Sequence, residues 1–270
     1  MENLNEKCRE IRKLILKTIG SLGVGHIGGC LSITELLVVL YHNHMRIDAR
    51  EPKKQGRDRL VLSKGHAGPA LYCVLCQKGF FDGEDWLLTL NKLGTRLPSH
   101  CDMNLTPGVD MTTGSLGQGL SCAVGMAIAS KICKDNAIIY AIIGDGESQE
   151  GQIWEASMYA AAQKLDNLIA FTDYNKMQID GMVEEVCSIS PIVDKWRAFG
   201  WSVIEVKNGH DCEEIDNAIK KAKCFVLPTM IILNTIKGKG VSFAQEAGVD
   251  SHNMTISEEM LKKELSFLDH

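Results

Sequence analysis

The sequence holds 270 residues with 29 basic against 34 acidic side chains, a formal charge of −5 at neutral pH. That balance argues against a surface built for nucleic acid or anionic lipid, and no apolar run reaches the roughly 18 residues that a membrane-crossing helix needs. The start, Met1 to Lys7, is polar and carries no export signal, so the expectation is one cytoplasmic domain spanning residues 1–270, with its ten cysteines packed as reduced thiols.

Apolar positions at Ile11, Leu14, Ile15 and Ile19 predict an amphipathic helix over 5–22. Five glycines within residues 20–29 predict a loop, and His26 in its middle makes that loop a pocket wall. Ser32-Ile33-Thr34-Glu35 has the spacing of a capping box, opening a helix that runs to about His44, where His42 and His44 read as solvated end residues. A short strand over 59–62 then leads into Ser63-Lys64-Gly65-His66, again a histidine just past a strand end. The 70–78 segment, with Cys73 and Cys76, reads as a helix, and neither cysteine has a second pair at zinc spacing. A short helix over 82–90 and a long loop over 91–109, carrying Pro98 and His100, precede a small-residue helix over 120–131. Strands over 137–143, 168–172, 202–206 and 229–233 alternate with helices over 152–164, 191–199 and 211–224. Cys30, Cys122, Cys133 and Cys224 fall inside apolar helical patterns and are expected to be buried. Alternation of this kind implies an α/β fold, a doubly wound and mostly parallel sheet flanked by helices.

The most informative stretch is Gly144-Asp145-Gly146, where an apolar strand ends in a tight turn bearing a carboxylate. A second strand ends in Asp173-Tyr174-Asn175. Ligands of open α/β sheets sit at the carboxyl ends of the strands, so these two ends would offer a carboxylate and an amide oxygen to one point. Such hard oxygens suit Mg2+ completed by phosphate oxygens, and the glycines let a diphosphate approach the backbone at a helix start.

Gly144-Asp145-Gly146…Gln149-Glu150-Gly151…Glu155-Ala156…Asn175-Lys176…Ile179-Asp180-Gly181 resembles the thiamine diphosphate fingerprint of transketolases. The likeness extends over Gly25-His26, Ser63-Lys64-Gly65-His66, Leu97-Pro98-Ser99-His100, Thr113-Gly114-Ser115-Leu116-Gly117-Gln118-Gly119 and Asp250-Ser251-His252, in the family's order.

Carried over by position, the resemblance implies that Asp145, Asn175 and the Met177 carbonyl hold Mg2+, or another divalent cation such as Ca2+ or Mn2+. Gly146, His66 and His252 would meet the diphosphate, with Lys64 and Lys237 nearby. Gly114, Ser115 and Leu116 would line the aminopyrimidine. His26, His66, His100 and His252 would be the catalytic ring around the reacting sugar, and Glu150 and Glu155 would lie toward a subunit interface. Two positions depart from the pattern: Tyr174 stands where such enzymes commonly have Asn or Asp, and His252 lacks the Trp-His-Gly wording around it.

Family members carry further domains for the pyrimidine and the substrate phosphate. The resemblance is to the diphosphate-binding half alone, which implies the N-terminal subunit of a split transketolase working with a separate C-terminal subunit, in a heterotetramer, on sugar phosphates. The alternatives are another two-chain enzyme acting on an unusual sugar such as apulose or a sulfosugar, and a non-catalytic cofactor-binding chain.

Overall fold

The computed structural model describes residues 3–269, so Met1 and Glu2 of the polar start, and His270, lie outside the described residues. In chain order the strands are β1 (Val24–Gly25), β2 (Arg59–Leu62), β3 (Ile139–Gly144), β4 (Leu168–Tyr174), β5 (Met177–Gln178), β6 (Gly181–Met182), β7 (Ser202–Val206), β8 (Thr229–Asn234) and β9 (Met254–Thr255). The helices are α1 (Leu4–Leu22), α2 (Ile27–Leu31), α3 (Thr34–Val39), α4 (Gly68–Gln77), α5 (Gln118–Cys133), α6 (Gly151–Ala162), α7 (Val183–Cys187), α8 (Ile192–Ala198), α9 (Cys212–Ala222), α10 (Ser242–Ala247) and α11 (Glu258–Leu268).

Five strands form one parallel sheet in the order β2-β3-β4-β8-β7. Successive strand residues point to opposite faces, and here both faces are apolar. Leu60, Leu62, Tyr140, Ile142, Ile169, Phe171, Ile231 and Leu233 pack with α1, α3, α4 and α9. Val61, Ile139, Ala141, Ile143, Leu168, Ala170, Met230 and Ile232 pack with α5, α6 and α8. Each such Leu or Ile contributes about 1.5–3 kcal/mol relative to an exposed position, which is why strands covered on both faces read as unbroken apolar runs.

The register decides where the site falls. Gly144 pairs with Asp173 and Tyr174 with Asn234, so the exits of β3, β4 and β8 open side by side, with that of β2 alongside.

Several expectations are corrected. The glycine-rich 20–29 segment is mostly helix: α1 continues to Leu22 and α2 begins at Ile27. Its glycines allow close packing instead; a β-carbon on Gly29 would lie 3.1 Å from His66 Nε2. No capping box forms at Ser32. Ser32 follows α2, and its hydroxyl donates to the Gly29 carbonyl and, at 2.5 Å, to Asp173, while Glu35 turns to Arg12 and His210. Buried partners across the fold outcompete the local cap. His44 is buried rather than solvated, with Nε2 3.0 Å from Asp216. Among the cysteines, Cys8, Cys30, Cys73, Cys101 and Cys212 are buried, whereas Cys122 is half-buried and Cys133 and Cys224 are exposed, Cys133 as the last residue of α5 and Cys224 past the end of α9.

Candidate active site

The floor of the site is a cluster of buried charges at the strand exits. Lys64, just past β2, is 1% exposed and donates to the Gly29 carbonyl at 3.1 Å and to Asp173 at 2.5 Å. Asp173, near the end of β4, also accepts from Ser32, Asn175 and Thr235. Burial would raise its carboxyl, but Lys64 and these donors bring it below the usual carboxylate range. One carboxylate thus ties together the exits of three strands and the end of α2.

Beside it, Asp145 is buried as well, not the surface carboxylate that a turn position suggests. Its side chain accepts from the Gly146 N–H at 2.7 Å and from the Lys176 N–H. Burial and the neighbouring Asp173 push it up to about 7. Lys176 takes φ +68, the left-handed region unusual for a side chain of its size, and that turn brings Asn175 and Met177 under Asp145. Asn175 Oδ1 accepts from the Met177 N–H at 3.1 Å, and the Met177 carbonyl receives Lys237 Nζ at 3.4 Å. The donors are a carboxylate, an amide oxygen and a carbonyl, the hard set that divalent cations such as Mg2+ take. A carboxylate whose burial is only partly compensated is what a cation would relieve. These residues fit the ion.

Glu147, in the single turn after Gly146, is 3% exposed. It accepts from the Ser63 hydroxyl, from the Gly117 N–H at 2.8 Å and from the Gly144 N–H at 3.0 Å. Gly117 needs its φ of +84, and a β-carbon there would lie 2.9 Å from Glu150. Glu147 therefore joins the exits of β2 and β3 to the loop before α5. Burial raises its carboxyl, with the three donors working against that.

Above the floor, four histidines converge from positions 26 to 252. The His26 ring centroid lies 5.5 Å from that of His66, 5.6 Å from His100 and 5.4 Å from His252, and His66 and His252 are 4.9 Å apart. Burial lowers all four, with neighbouring cations adding to it at His26, His66 and His252: His26 to about 4, His252 to about 3, and His66 and His100 also below the ordinary value. They are neutral at pH 7, so each ring can both donate and accept. Lys237 is lowered to about 8 by burial and by Lys64, and its Nζ is 3.2 Å from His252 Nδ1.

The groups surround a cavity of about 310 Å³. Lys64, His26, His66, His100, His252 and Lys237 line it with Asp145, Gly146, Asn175 and Met177. Gly114, Leu116 and Glu150 reach its edge. Ser115 and Glu155 do not: Ser115 Oγ accepts from Gln118 Nε2 at 3.0 Å, and Glu155 is exposed on α6. His42 lies elsewhere, 3.0 Å from Gln77. Sequence reasoning did not single out Asp173 or Glu147 as site residues. Both act by binding groups distant in sequence, and the one available signal was a carboxylate at an apolar strand end.

An α/β sheet with hard oxygen donors and neutral imidazoles gathered at its strand exits has the build of a cofactor-dependent enzyme. The sequence matches the transketolase, thiamine diphosphate binding domain family over residues 4–267, and the chain belongs to that family. It is 57% identical over 268 residues to a 6-deoxy-6-sulfo-D-fructose transketolase subunit of Clostridium sp. (strain MSTE9), covering 99% of this chain and 96% of the relative. It is 40% identical to one of the apulose-4-phosphate transketolase subunits, that of Phocaeicola vulgatus, covering 96% and 92% of the two chains. Against human transketolase the identity is 36%, covering 91% of this chain but 39% of the human one. The crystal structure of transketolase from Campylobacter jejuni superposes with a TM-score of 0.92 at 33% identity, covering 100% of this chain and 43% of that one. The chain thus spans less than half the length of these two transketolases.

Proposed function

We propose that this chain, one domain over residues 1–270, is the diphosphate-binding subunit of a two-chain transketolase. The observation that carries the reading is the meeting, around one cavity, of the Asp145, Asn175 and Met177 oxygens with four neutral imidazoles. Asp145, Asn175 and the Met177 carbonyl hold Mg2+, or Ca2+ or Mn2+ in its place. Lys64, Lys237, His66 and His252 face the diphosphate, with the Gly146 N–H beside them. Gly114, Ser115 and Leu116 offer backbone to the aminopyrimidine, and Glu150 and Glu155 lie toward the partner chain. When bound, thiamine diphosphate would supply the electron sink for breaking and remaking a carbon–carbon bond next to a carbonyl. His26 and His100 orient the hydroxyls of the sugar and move protons at its oxygens as neutral imidazoles, each with one nitrogen to donate and one to accept.

Relatives named as subunits match this chain along nearly their whole lengths, which supports a separate C-terminal partner carrying the pyrimidine half. The two chains are proposed to assemble as a heterotetramer in the cytoplasm. The 57% identity favours a 6-deoxy-6-sulfo ketose as donor over an ordinary ketose phosphate, with an aldose phosphate as acceptor. Removing C1 and C2 from such a six-carbon ketose leaves a four-carbon aldose that retains the sulfonate.

The test is reconstitution with the pyrimidine-half protein. With thiamine diphosphate, Mg2+ and an aldose phosphate to accept the two-carbon unit, the mixture should release the four-carbon sulfoaldose from 6-deoxy-6-sulfofructose, and this chain alone under the same conditions should release none. Turnover by the lone chain would refute the two-chain reading, and a preference for fructose 6-phosphate would refute the sulfosugar donor.

A further inference from the structure

Cys8 on α1 and Cys212 at the first position of α9 are 204 positions apart in sequence, yet their sulfurs lie 3.7 Å from one another. Both are buried, at 2% and 8% exposure. Mere packing explains a thiol against carbon, but it does not require two sulfurs to meet. Two features set this pair apart from the other buried thiols. Cys212 opens a helix, where the dipole favours a thiolate, while the Asp211 carboxylate that caps the helix and nearby Glu35 work against one. It also borders a surface groove of about 830 Å³, shared with Asn208, His210 and Glu213, through which a small reagent can approach. The contact with Cys8 holds the Cys212 thiol below its ordinary value, while the same contact and burial push Cys8 up. The two thiols are thus unequal, one suited to attack and one held in reserve.

We propose that Cys8 and Cys212 form a reversible disulfide by exchange with a low-molecular-weight disulfide such as oxidised glutathione. Cys212 thiolate attacks one sulfur of the reagent, forming a mixed disulfide and expelling one reagent thiolate. Cys8 gives up its proton and attacks the Cys212 sulfur, closing the protein disulfide and expelling the second reagent thiolate. Two protein thiols are oxidised and one reagent disulfide is reduced to two thiols. The sulfurs must close from 3.7 Å to the S–S bond length of about 2.05 Å.

The place of the link matters. One turn along α1 from Cys8, Arg12 binds the Lys239 carbonyl at 2.9 Å and pairs with Glu35. Two residues before Cys212, His210 binds Glu35 at 2.9 Å and accepts from the Ile236 N–H at 2.8 Å. The disulfide would therefore join the two elements that hold the 236–239 backbone, from which Lys237 enters the cavity.

The test is peptide mapping of the full chain after equilibration with reduced and oxidised glutathione, then alkylation under denaturing conditions. The expected result is a linked Cys8–Cys212 peptide that dithiothreitol abolishes. Cys8→Ala should stop at the mixed disulfide, with glutathione on Cys212, whereas in Cys212→Ala and Cys212→Ser Cys8 should stay alkylated, as the order of attack requires. If exposed Cys133 and Cys224 acquire glutathione while Cys8 and Cys212 remain fully alkylated, the proposal is overturned.

Discussion

The two ends of the parallel sheet both bury carboxylates, and they treat them differently. At the amino end, Asp58 accepts from the Arg46 N–H at 2.9 Å, from the Arg46 guanidinium and from the Ile138 N–H at 2.9 Å. Asp110 pairs with Arg57 and caps the edge strand at the Leu60 N–H, 2.8 Å away. Each carboxylate there meets an arginine and finishes its bonding inside the fold. At the carboxyl end, Lys64 is taken by Asp173, and Asp145 beside it accepts, among the described residues, from backbone N–H groups alone. Four imidazoles and Lys237 crowd the same cavity with their basicity lowered. Charges that close on one another hold a structure together, whereas charges left facing a cavity are arranged for something that enters it.

The largest way to break the comparison lies in the imidazoles. His66→Ala or His100→Ala in the reconstituted enzyme should lower turnover by roughly 10²–10⁴, while His42→Ala, bonded to Gln77 away from the cavity, should change it little. Equal losses in steady-state assays of the three would dissolve the distinction between ring and surface.

Glu147→Gln should weaken thiamine diphosphate affinity about tenfold, since the amide keeps one acceptor for Ser63, Gly117 and Gly144 but loses the other. Titration by fluorescence quenching would read it, and unchanged affinity would show that the loop before α5 is held by other means.

Asp58→Ala should do the reverse, costing about 3 kcal/mol of stability, or roughly 6–12 °C in Tm, with cofactor affinity kept. Loss of affinity without loss of Tm would invert the roles of the two ends.

The smallest effect is on pH. Burial holds His26 to about 4 and His252 to about 3, below the roughly 6.5 of an unfolded histidine. The unfolded chain therefore binds more protons between those values, so this contribution is intact above about 6.5 and is lost as the pH falls toward 4. Tm should fall on acidification from pH 7 to 5, and less steeply in His26→Gln; identical slopes would argue that the ring is already solvated.

How far all this could be read in advance follows from the range of each interaction. β2 and β7 were legible to the residue because Gly, Pro or charged residues bound their apolar runs. The strand exits were legible because the apolar runs stop at Gly144-Asp145-Gly146 and at Asp173-Tyr174-Asn175, and ligands of open α/β sheets sit at the carboxyl ends of strands. Ser32 and Glu35 were misread as a local cap since nothing nearby in sequence announces Asp173, Arg12 or His210 as their partners. The glycines of residues 20–29 signal close approach as readily as flexibility, and only the packed helices tell which. Asp173 and Glu147 bind across 141 and 84 positions, to Ser32 and Ser63, and periodicity carries no trace of such pairs.

The central claim is that the charges at the carboxyl end await a cation and a diphosphate. Its most direct test is calorimetric titration of thiamine diphosphate, with and without Mg2+, into reconstituted wild-type and Asp145→Ala complexes. Binding by the wild type that requires Mg2+, and at least a hundredfold weaker binding by a folded Asp145→Ala complex, is the result predicted here. Equal, metal-independent affinities in the two complexes would contradict it.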